Sequence, residues 1–152
     1  MVYPYRSKTN WFWAGAGIGL VLLVSGCSFS SGRAADKILE INGHRIQAEV
    51  ADTSSERYQG LSGRESLCDN CGMWFVFPDA QKRTFVMRDM NFSLDILWIR
   101  DKEIVAVEKD LPPDGKKYTS PPRIDAVLEV NGGFCEKHNI HKGDKITIIE
   151  QL

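Results

Sequence analysis

The chain has 152 residues, with 19 Lys and Arg against 20 Asp and Glu, a formal net charge of −1. That balance excludes a nucleic-acid binder built on bulk basicity, so no nucleic-acid partner is expected. With 43% hydrophobic and 26% charged residues, the chain is neither mostly disordered nor a multispanning membrane protein. Its length fits one domain.

Met1 to Asn10 carries Arg6 and Lys8 and no acid. Trp11 to Val24 is fourteen residues without a charge. At 1.5 Å each they span only about 21 Å as a helix, short of the ~30 Å hydrocarbon core. A positive start, a short apolar stretch and small residues make a secretory signal. Val24-Ser25-Gly26-Cys27 resembles the bacterial lipobox. The resemblance implies alkylation of the Cys27 thiol by a diacylglycerol, removal of residues 1–26 and acylation of the new amine of Cys27. Several acyl chains would hold the protein to a membrane almost permanently. Ser28 in place of Asp implies the outer membrane in a two-membrane host. Ser28 to Ala35 reads as a flexible tether reaching at most about 26 Å. With Arg6 and Lys8 gone, 17 basic residues remain against 20 acidic ones, a charge of −3.

Residues 36–152 read as the folded domain. Lys37 to Val50 holds two strand-like runs around Asn42-Gly43, the strongest two-residue hairpin signal. Thr53-Ser-Ser-Glu56 is a capping box opening a short helix through Gln59, which Gly60 can end. Gly72 to Phe77 is apolar on both faces and predicts a buried strand stopped by Pro78-Asp79. Thr84 to Met87 predicts a short strand. Leu94 to Arg100 and Glu103 to Lys109 predict a hairpin across Asp101-Lys102. Leu111 to Pro122, with four prolines, predicts a long loop. Ala126 to Val130 and Lys145 to Glu150 predict the last strands, with a short helix near Phe134 to His138 between them. Many short strands and two short helices predict a mainly β domain, a sandwich or jelly-roll-like fold or a small barrel.

Across these elements run Gly60-Leu61-x-x-Arg64-x-x-Leu67, Gly72-Met73-x-Phe75-x-Phe77, Phe85-x-Met87-Arg88-Asp89-Met90 and Leu94-Asp95-Ile96. Val127-Leu-Glu-Val-Asn-Gly-Gly133 and Gly143-Asp144-Lys-Ile146 complete the set. In that order they resemble the domain-of-unknown-function family numbered 192, from about Ile38 to Ile149. The resemblance implies a compact jelly-roll-like β domain, with no established activity, substrate or cofactor. Val86, Asp89 and Ser93 stand where the family often has Trp, Asn and Pro.

Asp95 lies inside Leu94-Asp-Ile-Leu-Trp-Ile99 and in a strand shares a face with Leu97 and Ile99. A carboxylate there needs a cationic partner or several donors. Arg64 and Arg88 are the plausible cations. One reading is an Arg/Asp pocket of Arg64, Arg88, Asp89 and Asp95 that grips a small polar or anionic ligand. The other is a structural ion pair fixing strand register. Asp89 is a candidate general base, or a residue stabilising a turn. Met73, Met87 and Met90, like Trp74 and Trp98, read as core packing rather than a soft-metal site or a sugar platform. Phosphate loops, the serine elbow and the His-Glu-x-x-His zinc motif do not occur in the sequence.

Cys68-Asp-Asn-Cys71 is a CxxC pair, and Cys135-Glu-Lys-His138 a CxxH pair followed by His141. Together they mimic a zinc ligand set. Export favours a Cys68–Cys71 disulfide instead. No metal site is assigned and no cofactor expected. The expected protein is a lipid-anchored binding or accessory module of the bacterial envelope, facing outside the cytoplasm. Its partners would be the membrane and either a small ligand or an envelope protein. The alternative is a small extracytoplasmic enzyme acting on envelope material through Arg88, Asp89 and Asp95.

Overall fold

A computed structural model describes residues 37–149. The signal segment 1–26, Cys27 and the tether lie outside the described residues.

Strands β1 (Lys37–Ile41) and β2 (His44–Ala51) form the expected hairpin. Asn42 and Gly43 sit at φ of 50° and 80°, the left-handed pair that a two-residue turn between right-twisted strands requires. Helix α1 (Ser54–Gln59) begins with a complete capping box. The Thr53 hydroxyl accepts from the Glu56 N–H at 3.2 Å, and the Glu56 carboxylate from the Thr53 N–H at 3.1 Å. The chain then enters β3 (Cys71–Gln81), which lies parallel to β2. A crossover that includes a helix is what a parallel pair needs.

After β4 (Thr84–Val86) come β5 (Leu94–Arg100) and β6 (Glu103–Leu111), a second hairpin. Its turn residues Asp101 and Lys102 both have positive φ. Strands β7 (Lys117–Thr119) and β8 (Ile124–Asn131), helix α2 (Phe134–Lys137) and β9 (Thr147–Ile149) complete the described chain. Seven strands make one mixed sheet in the order β6-β5-β8-β3-β2-β1-β9, and β4 and β7 pair as a separate ribbon. The fold is thus mainly β with two short helices, as expected, and it is not closed into a barrel. The β6 edge is nonetheless tied to the segment that leads into β9. Ile104 donates to the Asp144 carbonyl at 2.9 Å and accepts from the Gly143 N–H at 2.7 Å.

Two expectations need correction. Strand β3 does not stop at Pro78 but runs to Gln81. Its register against β8 breaks between Val76 and Gln81, and a proline with no N–H is tolerated at such an irregularity. The Pro-rich loop contains β7, which pairs with β4 through Tyr118 opposite Phe85.

The sheet has a packed core on each face. One holds Leu39, Ile46, Trp74, Leu97 and Leu128, closed by Phe134 and Ile140 around α2. The other holds Met73, Phe75, Ile96, Trp98 and Val127, covered by Leu61, Met87 and the aromatic side chains of the ribbon. Gly72 marks how closely the strands pack, since a Cβ there would stand 2.8 Å from the Glu129 carbonyl.

Candidate ligand pocket

A cavity of about 260 Å³ opens in the second core, between the sheet, the end of α1 and the β4–β7 ribbon. Its inner wall is apolar: Leu61, Phe75, Met87, Met90 and Leu94 line it. Phe85 stands edge-on to Phe75, Phe77 and Trp98, with ring centroids 4.9, 6.4 and 5.5 Å away. Such edge-to-face packing holds aromatic walls in fixed positions.

Three arginines line the same cavity, Arg57, Arg83 and Arg88. Each is braced by the fold. Arg57 donates to the carbonyls of Asp52 and Val76, and its guanidinium lies 5.3 Å from the Phe77 ring centre. Arg83 stacks on the same ring at 4.4 Å and bonds Asp79. Its main chain is pinned by Ser120, whose hydroxyl accepts from the Arg83 N–H at 3.0 Å. Arg88 lies over the Tyr58 ring at 4.3 Å and donates to the Tyr58 carbonyl at 2.9 Å. The Nε of Arg83 is buried and has no hydrogen-bond partner among the described residues. Buried donors are rarely left in that condition.

The remaining polar group is Glu129. It projects from β8 opposite Met73 of β3 and Ile96 of β5, in the middle of the sheet. It is 7% exposed, and no hydrogen bond or ion pair engages its carboxyl among the described residues. Burial pushes its pKa up to about 8, because the charged form loses its hydration and gains no partner. At neutral pH the carboxyl is mostly protonated and can both donate and accept.

The four residues expected to share a pocket do not converge. Arg88 lines the cavity, and Asp89 stands beside it at 3.6 Å, 74% exposed, with φ of 53°. Arg64 makes a bidentate pair with Glu49 at 2.6 and 2.7 Å. The hydrogen bond to Arg64 is the main cause holding the Glu49 carboxyl below its ordinary range. Asp95 is fully buried on the opposite face of β5, with Leu97 and Ile99 as the alternation required. Its partners are not arginines. It accepts from three main-chain N–H groups, of Asp110 at 2.7 Å, Gly133 at 3.0 Å and Cys135 at 2.7 Å. The strand pattern gave the face correctly, but donors contributed by distant loops carry no sequence signature.

Cys68 and Cys71 are paired as a disulfide, with Cα atoms 5.0 Å apart. Cys135 is buried and unpaired. Burial, then the neighbouring Asp95, drives its thiol pKa far up. Among the described residues no three His, Cys, Asp or Glu side chains are gathered as metal ligands. Sequence reasoning passed over Arg57, Arg83 and Glu129. A signal for Glu129 existed: Val127-Leu-Glu-Val130 sets a carboxylate in an apolar strand, as Leu94-Asp-Ile96 does for Asp95.

A small mainly β domain with an aromatic, arginine-lined cavity is the class of protein that the fold and site define. The model of the family DUF192, described as "Uncharacterized ACR", matches residues 37–148, and the chain belongs to this family. No curated protein matches the chain. The fold is similar to the crystal structure of a protein of unknown function from Novosphingobium aromaticivorans DSM 12444. That similarity has 31% identity over 72% of this chain and 83% of the other, with a TM-score of 0.69. It is also similar to a protein from Sinorhizobium meliloti 1021 described as a candidate transcription regulator. There the identity is 25%, over 74% of this chain and 92% of the other, with a TM-score of 0.70.

Proposed function

We propose that the protein is an exported, lipid-anchored binding module of the bacterial envelope, and that its cavity takes a small ligand with an apolar body and an anionic end. The observation carrying the ligand reading is the charge imbalance of a cavity whose inner wall is apolar. Arg57, Arg83 and Arg88 line it. The carboxylates beside two of them, Asp79 and Asp89, are 51% and 74% exposed. Exposed partners are well screened by water and neutralise little. The one carboxyl within the cavity is mostly uncharged at neutral pH. Guanidinium groups in such a setting favour carboxylate or phosphate.

The anchor reading rests on the lipobox-like Val24-Ser25-Gly26-Cys27 and the apolar run before it. The Cys68–Cys71 pair suits an oxidising compartment. A regulator of transcription finds no support in a chain of net charge −1. The catalytic alternative finds less support, because Asp95 lies on the face of β5 opposite the cavity and accepts from three main-chain donors.

The test is thermal unfolding of the full-length protein in detergent, with benzoate, phenyl phosphate and uncharged benzamide at millimolar concentration. A bound ligand raises Tm by mass action. The two anions are expected to raise it and benzamide to leave it unchanged. Arg83→Met, compared with its own unliganded Tm, is expected to lose the response. Equal shifts from benzamide, or none from either anion, would overturn the reading.

A further inference from the structure

Two groups around the cavity lack partners, and they ask for different things. The Nε of Arg83 is a buried donor with no acceptor among the described residues. Glu129 is 7% exposed, lines the same cavity and has no protein partner among the described residues, although its carboxyl oxygens, unlike the Arg83 Nε, keep contact with solvent. A buried polar group left unmet costs far more than an average hydrogen bond gains. One small anion cannot satisfy both, because a neutral acid in an apolar wall wants a hydroxyl or carbonyl rather than a charge. Arg83 enters from the ribbon and Glu129 from the sheet, with Phe75, Phe85 and Leu94 on the same cavity wall. The arginine is the more exposed of the two: its side chain is 24% accessible.

We infer that the cavity takes a flat amphiphilic carboxylate whose anionic end meets Arg83 and whose far end carries a hydroxyl or carbonyl hydrogen-bonded to Glu129. The inference rests on the binding reading above and specifies the ligand class. The edge-to-face phenylalanines suit an aromatic or similarly flat body, and Met87 and Met90 adapt around it. The cavity measures about 260 Å³ and is partly open to solvent. That is room for a single ring with its substituents.

Titration calorimetry on the full-length protein in detergent tests the assignment with two pairs of probes. The pairs are 4-hydroxybenzoate with benzoate, and 3-(4-hydroxyphenyl)propanoate with 3-phenylpropanoate. In at least one pair the hydroxylated acid is expected to bind about tenfold tighter, the effect of one hydrogen bond to a buried, otherwise unmet group. Glu129→Gln keeps a neutral donor and acceptor and should retain most of that ratio. Glu129→Leu should bring it to about one while the unhydroxylated acids still bind. If Glu129→Leu does not fold, the ratio in the native protein and in Glu129→Gln decides. Binding of the unhydroxylated acids with no gain from the hydroxyl would overturn this inference and leave the binding reading intact. Loss of the ratio in Glu129→Gln would overturn the neutral-partner role. No binding by any of the four probes would overturn both.

Discussion

Glu129 and Asp95 are both carboxylates in the middle of apolar strands, and their surroundings make them opposites. Asp95 receives three main-chain donors, whereas Glu129 receives none among the described residues and keeps its proton instead. The Glu129 pKa is raised from 4.5 to about 8, so the folded state holds a proton that the unfolded chain releases. Its stabilising contribution is therefore complete below about pH 4.5 and is lost as the pH climbs to about 8. Glu129→Gln removes that proton exchange. Its urea midpoint, followed from pH 5 to 9, should gain on the native protein up to about pH 8 and then run parallel to it. Parallel curves across that range would show that the carboxyl does not hold its proton. The sequence makes it readable that both positions are buried acids. It does not tell which acid finds donors, since those donors come from the β6 end and the α2 turn.

At the scale of elements, Asp95 ties three of them together, joining β5 to the end of β6 and to the turn that starts α2. Gly132, just before that turn, has no room for a side chain, because a Cβ would lie 2.2 Å from the Ser93 Oγ. Asp95→Ala would leave three main-chain N–H groups without their acceptor, one of them buried at Cys135 and two part-buried, and a buried one alone costs about 1–3 kcal/mol. The variant should therefore lose about 3 kcal/mol or more in urea unfolding, a large share of the ~5–15 kcal/mol that holds a domain folded. A loss below about 1 kcal/mol would mean the clamp is not needed. Elements whose signals are local were readable in advance. Asn42-Gly43 at its turn, Asp101-Lys102 at the second, and the Thr53–Glu56 box all act within four residues. The continuation of β3 past Pro78 was hidden, because its register break depends on β8. Strand β7 was hidden too, since its three residues are ordered by pairing with β4 rather than by their own pattern.

On the scale of the whole molecule, the mainly β class followed from the number of short apolar runs, but the order β6-β5-β8-β3-β2-β1-β9 did not. Most neighbours in that order are joined by pairing between distant segments, which composition does not encode. The pocket has the same origin, for Arg57, Arg83 and Glu129 meet only once α1, the ribbon and β8 are assembled. The expected Arg64–Arg88–Asp89–Asp95 pocket drew instead on residues close together in the motifs, and folding sends two of them elsewhere. The proposed address is a separate matter, read from residues before the domain. Under the anchor reading, a single residue, its thiol alkylated by a diacylglycerol, would decide where the entire protein resides. In a bacterial host the full-length protein should sediment with membranes, and its processed form should gain the mass of acyl chains at Cys27. Cys27→Ser removes the only nucleophilic sulfur in that stretch. The variant should lose the added mass while Cys68–Cys71 still forms. Failure of the unaltered chain to acquire that mass would reject the anchor.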